Sequence, residues 1–380
     1  FFCILIQCNN KLEFSLHVMK PEPQEWTWKP LPPNVDLETP EILKAALNAQ
    51  RFLSELKGIS QTIPNQGIIL NTLPLQEAKD SSEIENIVTT HDALYKADLE
   101  TNDKIDQVTK EVQRYAKALS IGFQLIKEYE ILTIRHIIAI QQVLEDNDAG
   151  VRKLPGTKLT NPATGEIIFI PPQSKDVIDK ALDNLEKYIN DDDLSPIHPL
   201  IKMAVVHVQF ESIHPFYDGN GRTGRIINIL YLVLKGLLDI PVLYLSRFIV
   251  QNKPDYYRLL QNVRTEGDWH SWVLYMLEGV AETSKQTISV VTGIRELMLD
   301  YKHRIRSEYN FYSQDLINHL FKHPYSKIEY LRTDLKVSRP TATKYLDELA
   351  SGGFLVKLKQ GRDNYYLNTA LLKLLTGEGI

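Results

Sequence analysis

A chain of 380 residues, 43% hydrophobic and 24% charged, has an ordinary globular composition and length enough for two or three domains. Beyond a short apolar start, no apolar run approaches the ~20 residues that a membrane span needs. The net charge of −5 is unevenly spread: residues 326–375 hold nine Lys/Arg against five Asp/Glu, so a +4 tail sits on a −9 body and points to an anionic partner for the tail.

The first residue is Phe1, not Met, which fits a fragment, a processed product or a misassigned reading frame. The apolar stretch 1–8 lacks a basic leader and a small-residue cleavage site. Met19 opens a polar stretch running to Trp26 and is the expected natural start, which leaves 1–18 as a doubtful leader. Both cysteines, Cys3 and Cys8, fall in that leader; the Cys-free remainder suits a reducing cytoplasm.

Residues 19–40 are Pro-rich and are expected to wrap the surface. Apolar positions at helical spacing predict a helix over 41–56 (Leu43, Ala46, Leu47, Ala49, Phe52) and another over 80–96 (Ile84, Ile87, Val88, His91, Tyr95). Helical pattern continues over 103–128 and 132–144. Gly150, Pro155, Gly156 and Asn161 to Gly165 then interrupt it, and a turn between two short apolar runs predicts a hairpin. Helices return over 175–189, 199–212, 226–236 and 254–300.

The tail reads differently. A short helix over 326–331, a turn at 336–338 and a second helix to Ala350 follow one another. Ser338 would cap that second helix, Pro340 would sit in its first turn, and Ala342, Tyr345, Leu346 and Leu349 would be buried. Alternating segments over 354–359 and 365–368 flank a Gly361–Asn364 turn. The order resembles a winged helix-turn-helix domain. It would offer Arg339, Thr341, Thr343 and Lys344 on the second helix, and Lys357, Lys359 and Arg362 on the wing, to DNA. Such domains also serve protein contacts. The expected division is 1–18 leader, 19–110 helical region, 111–300 central body and 301–380 tail domain.

Chemistry concentrates in residues 214–225, His-Pro-Phe-Tyr-Asp-Gly-Asn-Gly-Arg-Thr-Gly-Arg. Here are a potential general base (His214), a metal-binding carboxylate (Asp218), glycines that bare their amides, and two arginines for phosphates. A Gly-rich turn opening a helix is a ready phosphate site. Gly219 to Gly224 also fits G-x-G-x-x-G, with Asp239 at ribose distance, but that pattern must follow a strand directly, and Ile201, Ala204, Val205 and Val208 precede it at helical spacing. A Walker A loop fails, since no Gly-Lys-Ser/Thr follows. The plainest alternative is a Gly-rich connector between two core helices.

The run resembles the signature of the Fic family of nucleotidyltransferases, His-x-Phe-x-Asp/Glu-Gly-Asn-Gly-Arg-x-x-Arg, at every specified position. Val151-Arg152, the 165–173 stretch and His198-Pro199 are also similar to the family's core, so the likeness covers roughly 30–285. It implies a mainly α fold: a Fic-type helical bundle with a small β-hairpin flap, followed here by the winged helix. It implies transfer of AMP from ATP to Ser, Thr or Tyr hydroxyls of target proteins. His214 would be the base and Asp218 the Mg²⁺ ligand. Gly219, Asn220, Gly221, Arg222, Thr223, Gly224 and Arg225 would hold the ATP phosphates. The flap at Ile168 and Phe169 would border the nucleotide and register the target by strand addition. Tyr256-Tyr257 is similar to the tyrosine pair beside the family's adenine pocket. Residues 81–86, Ser-Ser-Glu-Ile-Glu-Asn, resemble the inhibitory motif, in which Ser81, Glu85 and Asn86 would serve and Glu85 would pair with Arg225. Local sequence equally allows a capping box from Ser82 to Glu85. Rival readings are phosphoryl or phosphocholine transfer, removal of AMP, and a DNA-binding regulator with a nucleotide-sensing body. Homodimerisation is compatible with all of them.

Overall fold

A computed structural model describes residues 24–97, 105–161, 164–360 and 363–377. The expectations for the leader, its two cysteines and Arg362 therefore lie outside the described residues. The fold is mostly helical with a small two-stranded antiparallel pair, as expected; the tail sheet has three strands, one more than the two expected there.

At the centre lies α7 (Pro199–Ile213), whose residues from Leu200 to Ile213 are all buried. A helix buried all round has no solvent face, so neighbours must enclose it and supply partners for its polar side chains. They are α1 (Pro40–Ser60), α6 (Lys175–Asn190), α8 (Asn220–Leu234), α10 (Lys253–Glu266) and α11 (Trp269–Glu308). Trp272 of α11 is fully buried and donates its Nε1–H to the Ala204 carbonyl at 2.9 Å. On the far side of α8 pack α4 (Gln107–Tyr129) and α5 (Ile134–Glu145). Gly122 permits this close approach: a Cβ there would lie 2.5 Å from Leu230 Cδ1 and 2.9 Å from Ile140 Cδ1.

The flap is β1 (Leu159–Thr160) against β2 (Ile167–Phe169), antiparallel, with Leu159 opposite Phe169. The Pro-rich segment runs over the body. Glu25 bridges Ile170 in parallel, the Trp26 N–H donates to the Ile170 carbonyl at 2.8 Å, and Leu31 and Leu37 are buried.

Two expected helices are each divided. The 80–96 helix is the end of α2 (Gln66–Ile84) followed by α3 (His91–Ala97). Between them Asn86 takes a left-handed φ of 64°, and the Ile87 N–H turns back to the Ser82 carbonyl at 3.0 Å. Asn tolerates that conformation and ends helices in this way. The capping-box alternative fails here: Ser82 lies in the last turn of α2, not before a first turn, and Glu85 is the C-cap. The 254–300 helix breaks at Gly267, φ 73°, into α10 and α11, and α9 (Leu245–Gln251) precedes them. Asp268 restarts the chain by accepting from the Ser271 N–H at 3.1 Å.

The tail holds α12 (Gln314–Lys322), β3 (Tyr325–Ser326), α13 (Ile328–Leu335), α14 (Arg339–Ser351), β4 (Val356–Gln360), β5 (Asp363–Leu367) and α15 (Thr369–Thr376). The sheet order is β3-β5-β4. The expected 326–331 helix starts two residues later, because Ser326 is used in β3 opposite Tyr366. Ser338 caps α14 as expected, accepting from the Thr341 N–H. Tyr345 is half-buried rather than buried; it stacks on Phe311 at 4.1 Å between centroids.

Replacing Gly122 with Ala should force α4 away from α5 and α8. Overpacking of this kind costs about 1–3 kcal/mol. Thermal melting of Gly122→Ala should show a clear drop with the helical circular dichroism retained; an unchanged melt would mean that this three-helix contact is looser than described.

Candidate active site

The chain leaves buried α7 by a left-handed residue, His214 (φ 49°, ψ 59°), whose N–H still bonds the Phe210 carbonyl at 3.0 Å. Phe216 anchors the following loop in the core, 6.2 Å from the Phe210 ring. Asn220 closes the loop: its Oδ1 accepts from the Phe216 N–H and its Nδ2 donates to the Phe216 carbonyl, both at 2.9 Å. Its side chain is thus spent on shape. Gly219 has φ 75°, and a Cβ there would collide with the Glu145 carboxylate. The result is a tight turn running straight into the amino end of α8, where first-turn amides lie outside the helical ladder. The preceding element is a helix, so the dinucleotide reading of the glycines is excluded. Asp239, its ribose candidate, pairs with Lys57 at 3.1 Å.

His214 is half-buried. Burial first, then the Arg264 and Arg152 cations, push its ring down to about 3, so it is neutral at pH 7 and able to accept a proton. Its Nδ1 is buried without a hydrogen-bond partner among the described residues, which leaves Nε2 as the outward nitrogen. Arg152, fully buried, donates from Nε to the His214 carbonyl at 2.8 Å and from Nη2 to the carbonyls of Pro172 and Ile213. Arg264 donates to Ser212 Oγ and the Glu211 carbonyl, both at 3.0 Å, and lies 3.9 Å over the Phe169 ring. Sequence reasoning noted Arg152 only within a family stretch and missed Arg264 altogether. No local pattern marks a lone Arg near the end of α10.

The two motif arginines point to different places. Arg222 forks between Glu111 at 2.7 Å and Glu145 at 3.0 Å, joining α8 to α4 and α5. Arg225 faces α2. Its Nε donates to Ser81 Oγ at 2.8 Å, and its Nη2 donates to the Ser81 carbonyl and to Glu85 Oε1, both at 2.9 Å. Burial opposes both charges, but each holds the other ionised: Glu85 lies below its usual range and Arg225 above its own. Glu85 Oε1 also fills the space beside Gly221, where a Cβ would strike it. Asn86 accepts from Lys253 Nζ at 3.0 Å. Of the three expected residues, Ser81 and Glu85 therefore grip Arg225, and Asn86 turns the chain.

Thr223 and Gly224 are buried in α8, Gly224 against Phe210 and the Glu211 carboxyl. Burial raises that carboxyl to about 7. Tyr256 is a core residue, bonded through its hydroxyl to His207 Nε2 at 2.8 Å; Tyr257, edge-on to it at 5.2 Å, exposes 44% of its surface. On the flap Phe169 is buried and Ile168 is 44% exposed. Asp218 is exposed at the loop mouth, where its Oδ1 accepts from the Gly219 N–H at 2.7 Å. No group of three or more His, Cys, Asp or Glu is placed to cage a metal among the described residues. A single exposed carboxylate beside a glycine-rich helix start is the kind of oxygen ligand that Mg²⁺ takes, since that ion usually keeps waters and shares phosphate oxygens. No described helix is long and apolar enough to cross a membrane.

Three family profiles match the chain: Fic/DOC family N-terminal over residues 43–124, Fic/DOC family over 131–232, and Protein adenylyltransferase SoFic-like, C-terminal domain over 297–371. The chain is 30% identical over 114 residues to Protein adenylyltransferase Fic of Drosophila erecta, which is 30% of this chain and 21% of that protein. It is also 30% identical over 132 residues to Protein adenylyltransferase fic-1 of Caenorhabditis elegans, 35% of this chain and 22% of that one. The match thus spans about a fifth of these relatives' length. A Fic family protein from Desulfovibrio desulfuricans G20 shares the fold, with TM-score 0.57 at 20% identity over 93% of this chain and 100% of that chain. So does a Fic domain containing signaling protein from Bacteroides thetaiotaomicron VPI-5482, with TM-score 0.53 at 18% identity over 65% and 97%.

One buried acid beneath the site gives a pH test. Glu77 of α2 accepts from the Ser246 N–H at 3.2 Å, from Ser246 Oγ and from the Tyr115 hydroxyl at 3.1 Å. Burial raises its carboxyl to about 8. A carboxyl raised on folding binds its proton more tightly when folded, so its contribution is full below pH ~4.5 and is lost as pH climbs through about 8. Glu77→Gln should flatten that part of the melting-temperature profile between pH 5 and 9. Profiles that stay parallel would place the dependence on Asp80 and Glu211 instead, raised to about 6 and about 7.

Proposed function

From a chain that belongs to the Fic/DOC family, we propose that this protein is an adenylyltransferase that moves AMP from ATP to a Ser, Thr or Tyr hydroxyl of a target protein, held in check by Glu85. The observation that carries the proposal is the buried Arg225, gripped by Ser81 and Glu85 at the rim of a ready phosphate turn. A cation built into that turn is complementary to a triphosphate. With Glu85 on it, the γ-phosphate has lost its partner.

In this reading the hydroxyl oxygen bonds to the α-phosphorus, the bond from that phosphorus to its bridging oxygen breaks, and pyrophosphate leaves. The hydroxyl proton goes to Nε2 of His214, which is neutral and outward. Amides of Gly219, Asn220 and Gly221 meet the charge that builds on the phosphates. Mg²⁺, held by Asp218, would neutralise phosphate charge. Arg222 serves the same turn indirectly, by pinning α8 to Glu111 and Glu145. Of the tyrosine pair, the exposed Tyr257 ring offers a face to adenine and Tyr256 backs it. The exposed Ile168 edge of the flap is where an extended target segment would add. The intact Gly219-Asn220-Gly221 turn favours AMP over phosphoryl or phosphocholine transfer.

Mass spectrometry after incubation with Mg²⁺ and ATP tests the proposal. Glu85→Gly should gain a larger +AMP adduct on itself than the wild type, and adding His214→Ala should cut transfer by ~10²–10⁴-fold while leaving ATP binding nearly intact. A +phosphate adduct, or no gain from Glu85→Gly, would reject the reading.

A second activity concerns the tail, which we read as a winged helix that tracks DNA phosphates. Arg339 and Lys344 are exposed on α14, with Thr341 beside them, and their acidic neighbours Glu329 and Glu348 stand off at 3.6 and 3.8 Å. Surface pairs this loose are worth little and give way to a phosphate. Duplex affinity should fall with salt and with Arg339→Ala/Lys344→Ala; no binding at low salt would assign the tail to protein contacts.

A further inference from the structure

We infer that Arg264 is a positioning residue: its guanidinium joins the flap strand β2 to the carboxyl end of α7, and so sets the place and surroundings in which His214 works. The kinetic part of this inference rests on the transfer reading above; the structural part does not.

Three elements meet at this side chain. It rises from α10, donates to Ser212 Oγ and the Glu211 carbonyl two and three residues before His214, and covers the Phe169 ring of β2 at 3.9 Å. Face and edge are used together, the π face on the ring and the N–H fork on two oxygens. A planar guanidinium can do this and an ammonium cannot. Among the described residues no carboxylate lies within ion-pair distance of Arg264; Glu211, its nearest acid in charge terms, offers it a carbonyl. A half-buried cation without an ion-pair partner is costly to keep, and a hydrophobic side chain would pack against Phe169 more cheaply. What the cation adds is a fixed positive charge beside the base.

The groups that face His214 come from every side. Arg264 reaches it from α10, Arg152 from the segment before the hairpin and Glu85 from the end of α2, while its own helix offers the Glu211 backbone. Arg264 and Arg152 favour the neutral ring, and Glu85 opposes them. Arg152 bonds the backbone at Ile213 and His214 directly, whereas Arg264 alone also touches the buried ring of the flap. A target segment seated on the flap therefore bears on the residue that conditions the base. Arg264 itself stays charged at neutral pH, since burial lowers it only to about 10.

The test uses the full chain labelled with ¹³Cε1-histidine, with the His214 signal assigned by its loss in His214→Ala. In the wild type the His214 signal should stay that of the neutral ring down to pH 5, and the titration is followed below pH 5 through its midpoint. In Arg264→Met its midpoint should rise by about one pH unit or more, the size expected for removing a neighbouring like charge. Arg264→Gln, shorter but still an N–H donor and without charge, should show the same rise and serves if the Met variant does not fold. Arg264→Lys should keep a midpoint near the wild type's. For transfer, the acid limb of the pH–rate profile should move upward with the midpoint in Met and Gln, with kcat lowered and the KM for ATP little changed. A His214 midpoint that stays put in a folded Met or Gln variant overturns the inference, because a role in packing alone would leave it unmoved. If no variant of this protein transfers AMP, the transfer reading fails and the histidine titration still decides the role of Arg264.

Discussion

A guanidinium that is 2% exposed must find its partners inside the protein, and Arg225 finds them on one turn of one helix. Much of the architecture follows from meeting that demand. The last turn of α2 has to lie against the first turns of α8, so that Ser81 and Glu85 arrive together. The chain has to leave α2 immediately afterwards, so that Glu85 stands at the rim and not inside a continuing helix. Asn86 makes that exit by taking a left-handed conformation, and Lys253 holds its side chain. Removing one partner of such a buried pair strands a charge, which is far costlier than the pair is worth. The contact is thus an anchor between α2 and α8.

Helix α2 is held from the other side as well. Gln76 donates to the Leu375 carbonyl in α15, and α12 packs along the same helix. The Tyr325 hydroxyl of β3 bonds Asp92 in α3, and Lys96 lies 5.5 Å over the Tyr325 ring. The 40-residue helix α11 runs from the centre of the body to the tail without a break. The element that grips Arg225 is therefore sandwiched between body and tail, and it is not a freestanding arm.

The loop between α7 and α8 shows how little freedom the motif leaves. Phe216 is buried, Asn220 is used twice on Phe216, Gly219 is walled by Glu145 and Gly221 by Glu85. Among the described residues of this loop, Tyr217 and Asp218 are exposed and His214 is half-buried. Several of the residues that a motif reading assigns to a nucleotide shape the turn itself. The same division appears on the flap, where Phe169 is the buried hinge of the strand and Ile168 its exposed edge.

Features that depend on neighbours along the chain were readable from the amino acids. The central helices are legible because apolar residues recur at 3.6-residue spacing, the hairpin because turn residues separate two apolar runs, and the phosphate turn because glycines precede a helix start. The twelve-residue signature and the 81–86 motif were legible as a resemblance. Features that depend on distant partners emerged only once the chain was folded. Ser82-x-x-Glu85 fits a capping box and a pairing of Glu85 with Arg225 equally, and only the position of α2's end against Arg225 separates them, since a cap is local and a salt bridge across 140 residues is not. The splits at Asn86 and Gly267 follow from single left-handed residues inside otherwise continuous periodicity. Arg152 and Arg264 have no local signature, because an isolated Arg looks like any surface cation until the fold carries it beneath the flap. Arg222 and Arg225, three positions apart, lie on neighbouring turns of one side of α8, and only the packing of α4, α5 and α2 sends one to Glu111 and Glu145 and the other to Ser81 and Glu85.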